Sequence, residues 1–152
     1  MNLEQILTWL REREDCKLGQ GATEQEIEEA ATSLGIRFPE QYAEFLRRVG
    51  WLEWAYGSLY GLGKGIPPYL DVVKETMQER RLCQPNIPAY LLPIMNDGAG
   101  NHYCIFVDGP NRAKVGFWDH EHEDAEGQLP EMVGLSFFDW LNKYISDIPN
   151  DS

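Results

Sequence analysis

The densest group of potential metal ligands in the sequence is the run DHEHED at residues 119–124. Imidazoles and carboxylates are ligands that transition metals accept. His120 and His122 are spaced i, i+2, however, so they would converge only on a strand face, and His102 is the only other histidine. We interpret the run as a solvated acidic loop and predict neither a metal site nor a cofactor. A metal-dependent enzyme that uses this loop stays open as a third hypothesis.

Cys104 and His102 form a second pair with chemical potential, because residues two apart on a strand share a face. Cys104 is followed by Ile105 and Phe106, whereas an activated thiolate needs an electropositive, partly open setting. The pattern therefore favours a small core residue over a nucleophile. No G-x-S-x-G motif occurs either, so we predict no catalytic residue and no enzyme.

An aromatic set follows Gly50 and consists of Trp51, Trp54, Tyr56 and Tyr60. Trp and Tyr are enriched at protein interfaces because they bury a large area and keep a polar group. The alternative is that they fill the core between sheet and helices. Strand alternation predicts that roughly half of the set is exposed and available for binding.

The formal net charge is −12, from 13 Lys and Arg against 25 Asp and Glu. Such a surface repels phosphate backbones, so we predict no direct binding of nucleic acid. It would attract a basic protein and accelerate that encounter at low salt. The alternative is that the charge only keeps the protein in solution.

The chain has 152 residues, of which 43% are hydrophobic. This length and hydrophobic content suit a single domain with a substantial hydrophobic core. Its cysteines are few and widely spaced, with no C-x-x-C, as expected in a reduced compartment. They are Cys16, Cys83 and Cys104. No apolar run approaches the roughly 20 residues that span a bilayer. We therefore expect a cytoplasmic protein without a membrane partner.

Apolar residues at i, i+3, i+4 and i+7 predict amphipathic helices at both ends of the chain and between residues 24 and 80. Local signals indicate where these helices begin and end. The boundaries predicted in this way are residues 18–21 as the end of the first helix, Thr23 with Glu26 as a capping box, Gly35 as a stop, Pro39 as a first helical residue, and Ser136 with Asp139 as the last cap.

Strand patterns occupy the middle of the chain. Two short aromatic strands are predicted at 51–56 and 58–62. An antiparallel meander is predicted from 91–95, 102–108 and 113–119. Its middle strand is apolar on both faces, so we expect it to be central and covered on both sides.

A glycine-rich run at residues 61–65 resembles part of a phosphate-binding loop. No G-K-[ST] follows it, and Pro67 and Pro68 prevent an immediate helix start. We therefore predict a turn and no nucleotide site.

The order of these motifs resembles the SUKH superfamily, which includes the Smi/Knr cell-wall regulators of fungi and many bacterial proteins. The similarity covers roughly residues 23–145. The motifs that carry it are Gly35-Ile36-x-Phe38-Pro39, Asp97-Gly98-x-Gly100-Asn101-x-Tyr103-Cys104, Val115-x-Phe117-Trp118-Asp119-His120-Glu121 and Ser136-Phe137-x-x-Trp140-Leu141.

The resemblance implies an α+β fold, with a curved and mostly antiparallel sheet and helices packed against it, in one domain over residues 1–152. It also implies a function, because bacterial members are typically immunity proteins that neutralise toxin domains, often nucleases. Fungal members act as non-enzymatic regulators or scaffolds. The family offers no catalytic motif to transfer.

From the resemblance and the charge we predict a non-enzymatic immunity protein, monomeric or a weak homodimer, that neutralises a basic, nuclease-like toxin domain through an acidic and aromatic surface. The alternative is a general protein-binding scaffold or regulator without a toxin partner. The residues predicted to bind the partner are Trp51, Glu53, Trp54, Tyr60, Asp119, His120, Glu121, Glu123 and Asp124.

Overall fold

The computed structural model describes residues 2–82, 86–119 and 130–147. These residues form one α+β domain with helices packed on antiparallel sheets, as the resemblance implies. The helices are α1 (Leu3–Arg11), α2 (Glu24–Leu34), α3 (Glu40–Arg48), α4 (Val72–Arg81) and α5 (Phe137–Ser146), with a short 3₁₀ helix at Pro68–Leu70. The strands are β1 (Lys17–Leu18), β2 (Leu52–Trp54), β3 (Gly57–Leu59), β4 (Leu91–Asn96), β5 (His102–Phe106), β6 (Val115–Trp118) and β7 (Glu131–Gly134).

The predicted helix caps are confirmed. The Thr23 hydroxyl accepts a hydrogen bond from the amide of Glu26 (3.1 Å), and the Glu26 carboxylate accepts one from the amide of Thr23 (3.0 Å). Gly35 ends α2 in the left-handed conformation, with φ of 68°. Ser136 caps α5 by accepting from the amide of Asp139 (3.2 Å). These bonds satisfy amide groups that a helix start leaves without a partner.

Two predicted helix boundaries are wrong. α1 ends at Arg11 and not at residues 18–21, because Lys17–Leu18 pairs with β2 as an edge strand. The charged residues 12–15 offer no apolar face on which the helix could continue. Pro39 lies at the N-cap of α3, with an extended ψ of 147°, and is not its first helical residue.

The strands form two antiparallel sheets, in the orders β1-β2-β3 and β4-β5-β6-β7. The predicted meander of β4, β5 and β6 is confirmed. β7 was not predicted, because its four residues include exposed Met132 and show no alternation of apolar and polar positions.

The two sheets meet along β3 and β4. The pairing of β4 with β5 passes from Pro93 to Met95 and skips Ile94, which is the extra residue of a β-bulge. The Ile94 carbonyl therefore stays available and accepts a hydrogen bond from the Tyr60 amide (2.8 Å). This bond joins the end of β3 to the middle of β4, so the two sheets act as one curved surface.

β5 is covered on both faces, as its sequence predicts. Ile105 and Val107 belong to the main core, which also contains the apolar faces of the helices. Cys104 and Phe106 face the other way, into a smaller core that includes Trp118. The prediction that Cys104 is a buried core residue is thus confirmed.

The glycine-rich turn at residues 61–65 packs against backbone. The Leu62 amide donates to the Gly50 carbonyl (3.0 Å). A Cβ on Gly61 would lie 1.6 Å from that carbonyl oxygen, closer than any van der Waals contact allows. The turn needs glycine here because two backbone segments touch.

Within the three described stretches, no helix is long and apolar enough to cross a membrane.

We expect Gly61→Ala to cost at least about 4 kcal/mol of unfolding free energy, because the added methyl collides with backbone that has no room to move. Gly65→Ala is the matched control, since its Cβ would meet no atom within 4 Å and only its φ of 80° is unfavourable. That control should cost about 1–2 kcal/mol. Thermal denaturation followed by circular dichroism compares them, and equal melting temperatures would contradict the steric argument.

Candidate protein-binding site

One of the predicted binding residues, Glu53, belongs to a row of residues that crosses the strands near one end of the sheets. Paired residues of antiparallel strands project from the same face, and three pairings align here: Glu53 with Ser58, Asn96 with His102, and His102 with Trp118. Ser58 and Asn96 line a common pocket, which connects the pairings across the junction of the sheets. We call this level the strand-end row, and its members are Glu53, Ser58, Asn96, His102 and Trp118.

Asp119 directly follows the row at the end of β6. The structure therefore places Glu53 and Asp119, two predicted partner-binding residues, at the same end of the sheets. His120, Glu121, Glu123 and Asp124 lie outside the described residues, and so does the predicted metal alternative at His120 and His122. In the part of the chain that is described, no three His, Cys, Asp or Glu side chains are grouped to hold a metal ion.

The expectation that half of the aromatic set is exposed is wrong. Trp51, Trp54 and Tyr60 are only 9%, 5% and 4% exposed, and Tyr56 is half-buried. Trp51 packs on Gly19, where a Cβ would lie 2.5 Å from the indole. Trp54 joins Leu52 on the core face of β2, and Tyr60 projects from the opposite, Glu53 side.

Tyr60 is buried in the main core, and polar side chains of β5 and α4 lie around its hydroxyl. Its hydroxyl lies 3.3 Å from Nε2 of His102, and the same nitrogen lies 3.7 Å from Oε1 of Glu79. His102 is 1% exposed and the Glu79 side chain 17%. Glu79 and its neighbour one turn earlier, Glu75, were not identified from the sequence.

A signal for these two glutamates does exist in the sequence. A histidine on the inner face of a buried strand requires a polar partner. Glu75 and Glu79 are spaced i, i+4 and therefore lie on one face of α4. A helix that turns two carboxylates toward a sheet is a candidate to supply such a partner.

A pocket of about 340 Å³ opens beside this cluster, between β3, β4 and the start of α4. Its lining includes Ser58, Tyr60, Tyr69, Glu75 and Asn96. Tyr69 is 57% exposed, and its hydroxyl donates to Oε2 of Glu53 (2.5 Å). No Lys or Arg is among the described residues of the lining. The pocket thus presents an aromatic ring and hydrogen-bond acceptors, as a cationic group requires.

Residues 24–141 match the SUKH_6 family model, which is described as SMI1-KNR4 cell-wall. The chain belongs to the SUKH family. The match includes β2 to β7, α2 to α4 and every residue that lines the pocket. No curated protein matches the chain. The SUKH family is linked to immunity proteins, and it is typically non-catalytic.

The Cys104 thiol of this SUKH protein is held protonated. Burial, and then the carboxylate of Glu79, raise the pKa of Cys104 well above its ordinary value. Its sulfur lies 3.7 Å from the carbonyl oxygen of His102, to which it donates. These surroundings are the reverse of the electropositive setting that a reactive thiolate needs.

Glu75 is the most perturbed carboxylate at the pocket. Burial raises the pKa of Glu75, the charges of Glu79 and Asp71 raise it further, and Lys74 partly offsets them. Burial also raises the pKa of Tyr60. An ionised Glu75 is therefore less stable in the folded SUKH protein than in water, and a cation in the pocket would relieve that penalty.

A second groove, of about 750 Å³, lies between the end of α2 and the segments at Tyr90 and Asp108. Its rim combines Arg37 with the carboxylates of Glu28 and Asp108. This mixed charge makes the groove a poorer match for a basic partner than the pocket beside Tyr69.

Glu75→Gln is expected to raise the melting temperature slightly at pH 7, by no more than a few degrees for a chain of this size. Because folding raises the pKa of Glu75, its ionisation costs stability above the folded-state pKa. The gain should shrink as the pH falls through the folded-state and then the unfolded-state pKa, and vanish near pH 3, about one unit below the ordinary pKa of a glutamate.

Calorimetry at several pH values measures this effect, with Glu131→Gln as the control. Glu131 is exposed and pairs with Phe117, so it projects away from the row. A gain at pH 7 that persists unchanged at pH 3 would show that ionisation of Glu75 is not its source.

Proposed function

We propose that this SUKH protein is an immunity protein that binds a basic toxin domain of the nuclease class and blocks it by covering its cationic surface. The proposal depends on one combination: membership in a family linked to immunity proteins, together with a net charge of −12. A nuclease that holds a phosphate backbone needs a positive surface. An acidic protein can occupy that surface in place of the nucleic acid.

We place the docking face for this partner at the edge of the sheets that the strand-end row marks. Glu53 and Asp119 lie on β2 and at the end of β6, four strand spacings apart, which is roughly 19 Å. That span suits the roughly 800 Å² that each partner contributes to a standard interface. Asp97 is exposed on the turn between them. The carboxylates along this edge support the proposal, because they give it the sign of charge that a basic domain requires.

The sequence extends the acidic character beyond Asp119. Residues 119–126 contain five carboxylates and no Lys or Arg. We therefore retain His120, Glu121, Glu123 and Asp124 in the proposed surface. Trp51 and Trp54 take a different role from the predicted one, since they fill the core beneath β2 and support Glu53 from within.

A scaffold or regulator without a toxin partner is the second candidate function. The description of the matching family, SMI1-KNR4 cell-wall, favours it. The net charge of the protein distinguishes the two candidate functions, because a scaffold does not require a strongly basic partner.

Co-expression with the toxin domain encoded beside its gene tests the immunity proposal. We expect the SUKH protein to restore growth and to form a complex whose Kd rises at least about tenfold between 0.05 M and 0.5 M salt, because screening weakens charge pairing. Undiminished toxicity without a complex would reject this pairing. A Kd that is insensitive to salt would reject the electrostatic account.

Charge reversal tests the docking face. Glu53→Lys combined with Asp119→Lys should raise the Kd at least about tenfold, since two charges of the face are inverted. The control is Glu29→Lys with Glu40→Lys, which makes the same change in net charge at exposed positions outside the row. Equal losses in the two double variants would mean that only net charge matters.

A further inference from the structure

We propose that the pocket between β3, β4 and the start of α4 receives one arginine side chain of the partner, with its guanidinium placed between Tyr69 and Glu75. This inference rests on the proposed function and specifies which group of the basic partner enters the SUKH protein.

The size of the pocket fits a side chain. Its volume of about 340 Å³ lies at the lower end of the roughly 300–1,000 Å³ that ligand sites occupy. The walls combine apolar and polar groups, including Leu70 and Gly57 beside Ser58 and Asn96. A long side chain with an apolar stem and a charged head matches such a wall.

Tyr69 supplies an aromatic face in a fixed position. The residue sits in the 3₁₀ helix Pro68–Leu70, which follows Pro67. Tyr69 as a whole is 57% exposed, and its hydroxyl donates a hydrogen bond to Glu53 at 2.5 Å. A planar guanidinium stacks on such a ring, and its attraction to the ring is enhanced by the adjacent carboxylate.

Glu75 supplies the counter-charge. It lines the pocket beside Tyr60. Burial and the charges of Glu79 and Asp71 raise the free energy of its ionised form, and Lys74 is the cation that acts on it. An arriving guanidinium would pair with this carboxylate in a bidentate manner. Arginine is favoured over lysine because it stacks, forms two parallel hydrogen bonds and is more weakly hydrated.

The floor of the pocket is preorganised. The amide of Tyr60 donates to Ile94 (2.8 Å), its carbonyl accepts from the hydroxyl of Tyr42 (2.7 Å), and its own hydroxyl contacts His102. The side-chain oxygen of Asn96 accepts from the amide of Gly98 (2.6 Å). Walls that are already fixed lose little conformational freedom when a side chain enters.

The ionised form of Glu75 is disfavoured by the fold in this place. Its burial disfavours the charged form, so the residue carries a stability penalty that binding of a cation would remove. Stability penalties of this kind are characteristic of binding sites. Binding and stability should therefore respond to Glu75→Gln in opposite directions.

The first test uses N-acetyl-arginine methylamide as the probe, with the lysine analogue beside it, in amide NMR titrations of the protein alone. The arginine probe should produce saturable shifts at Gly57, Gly98 and Glu75, with a Kd at least about threefold lower than the lysine analogue. Shifts that are absent, or that concentrate at the groove near Arg37 and Tyr90, would overturn the assignment.

The second test uses variants, which separate a binding role from a folding role. Glu75→Gln and Tyr69→Leu should each raise the Kd for the arginine probe at least about fivefold, whereas Glu131→Gln should leave it unchanged. Glu75→Gln should do so while its melting temperature rises. Unchanged affinity in both pocket variants would contradict the proposal.

The same variants in the toxin complex separate this inference from the proposed function. If the protein neutralises the toxin and Glu75→Gln binds it with unchanged affinity, the pocket assignment falls and the immunity function stands. If the arginine probe binds as expected and the toxin does not, the pocket stands and the toxin pairing falls.

Discussion

Tyr60 connects the two sheets and a helix, because each of its three polar groups contacts a different element. Its amide reaches the bulged β4, its carbonyl receives the hydroxyl of Tyr42 from α3, and its own hydroxyl meets His102 on β5. Two sheets that share no continuous ladder are thereby held in one orientation. Without this junction, the strand-end row would be two unrelated fragments.

The junction also explains the polar cluster beneath α4. His102 lies on an otherwise apolar face of a buried strand, and Tyr60 and Glu79 are the groups that surround it. Polar groups in such a place are expensive unless they are paired. α4 places two glutamates over the sheet. Glu79 lies beside His102, and Glu75 lies at the mouth of the pocket. The arrangement that stabilises the interior thus leaves one carboxylate in an unfavourable position at the surface.

Local chemistry made much of the fold predictable. Thr23, Gly35 and Ser136 form helix boundaries through bonds to nearby amides or through their own φ, so the sequence around them is sufficient information. The two apolar faces of β5 likewise indicated a central strand. The short strands β1 and β7 escaped prediction because they are defined by their partners, and their few residues carry no pattern of their own.

The candidate site was predictable only in part, for a related reason. The pairing of β2 with β3 places Tyr60 on the face of Glu53, and neither this register nor the cover over that face can be read from the sequence. The cover is α4, whose Glu75 and Glu79 look in the sequence like the solvated side of an ordinary helix. Only the packing of α4 on the sheet shows that Glu79 lies beside His102 and that Glu75 lines the pocket, and this packing depends on contacts between distant parts of the chain.

The proposed binding region is an acidic edge built around the Tyr60 junction, and its proposed partner is a cationic protein. Hydrogen exchange of the free and the toxin-bound protein tests this directly, because amides covered by a partner exchange more slowly. We expect new protection at the strand ends of β3 and β4, in the turn at residues 96–101 and at the start of α4. Protection confined to α1 or α2, with these segments unchanged, would contradict it.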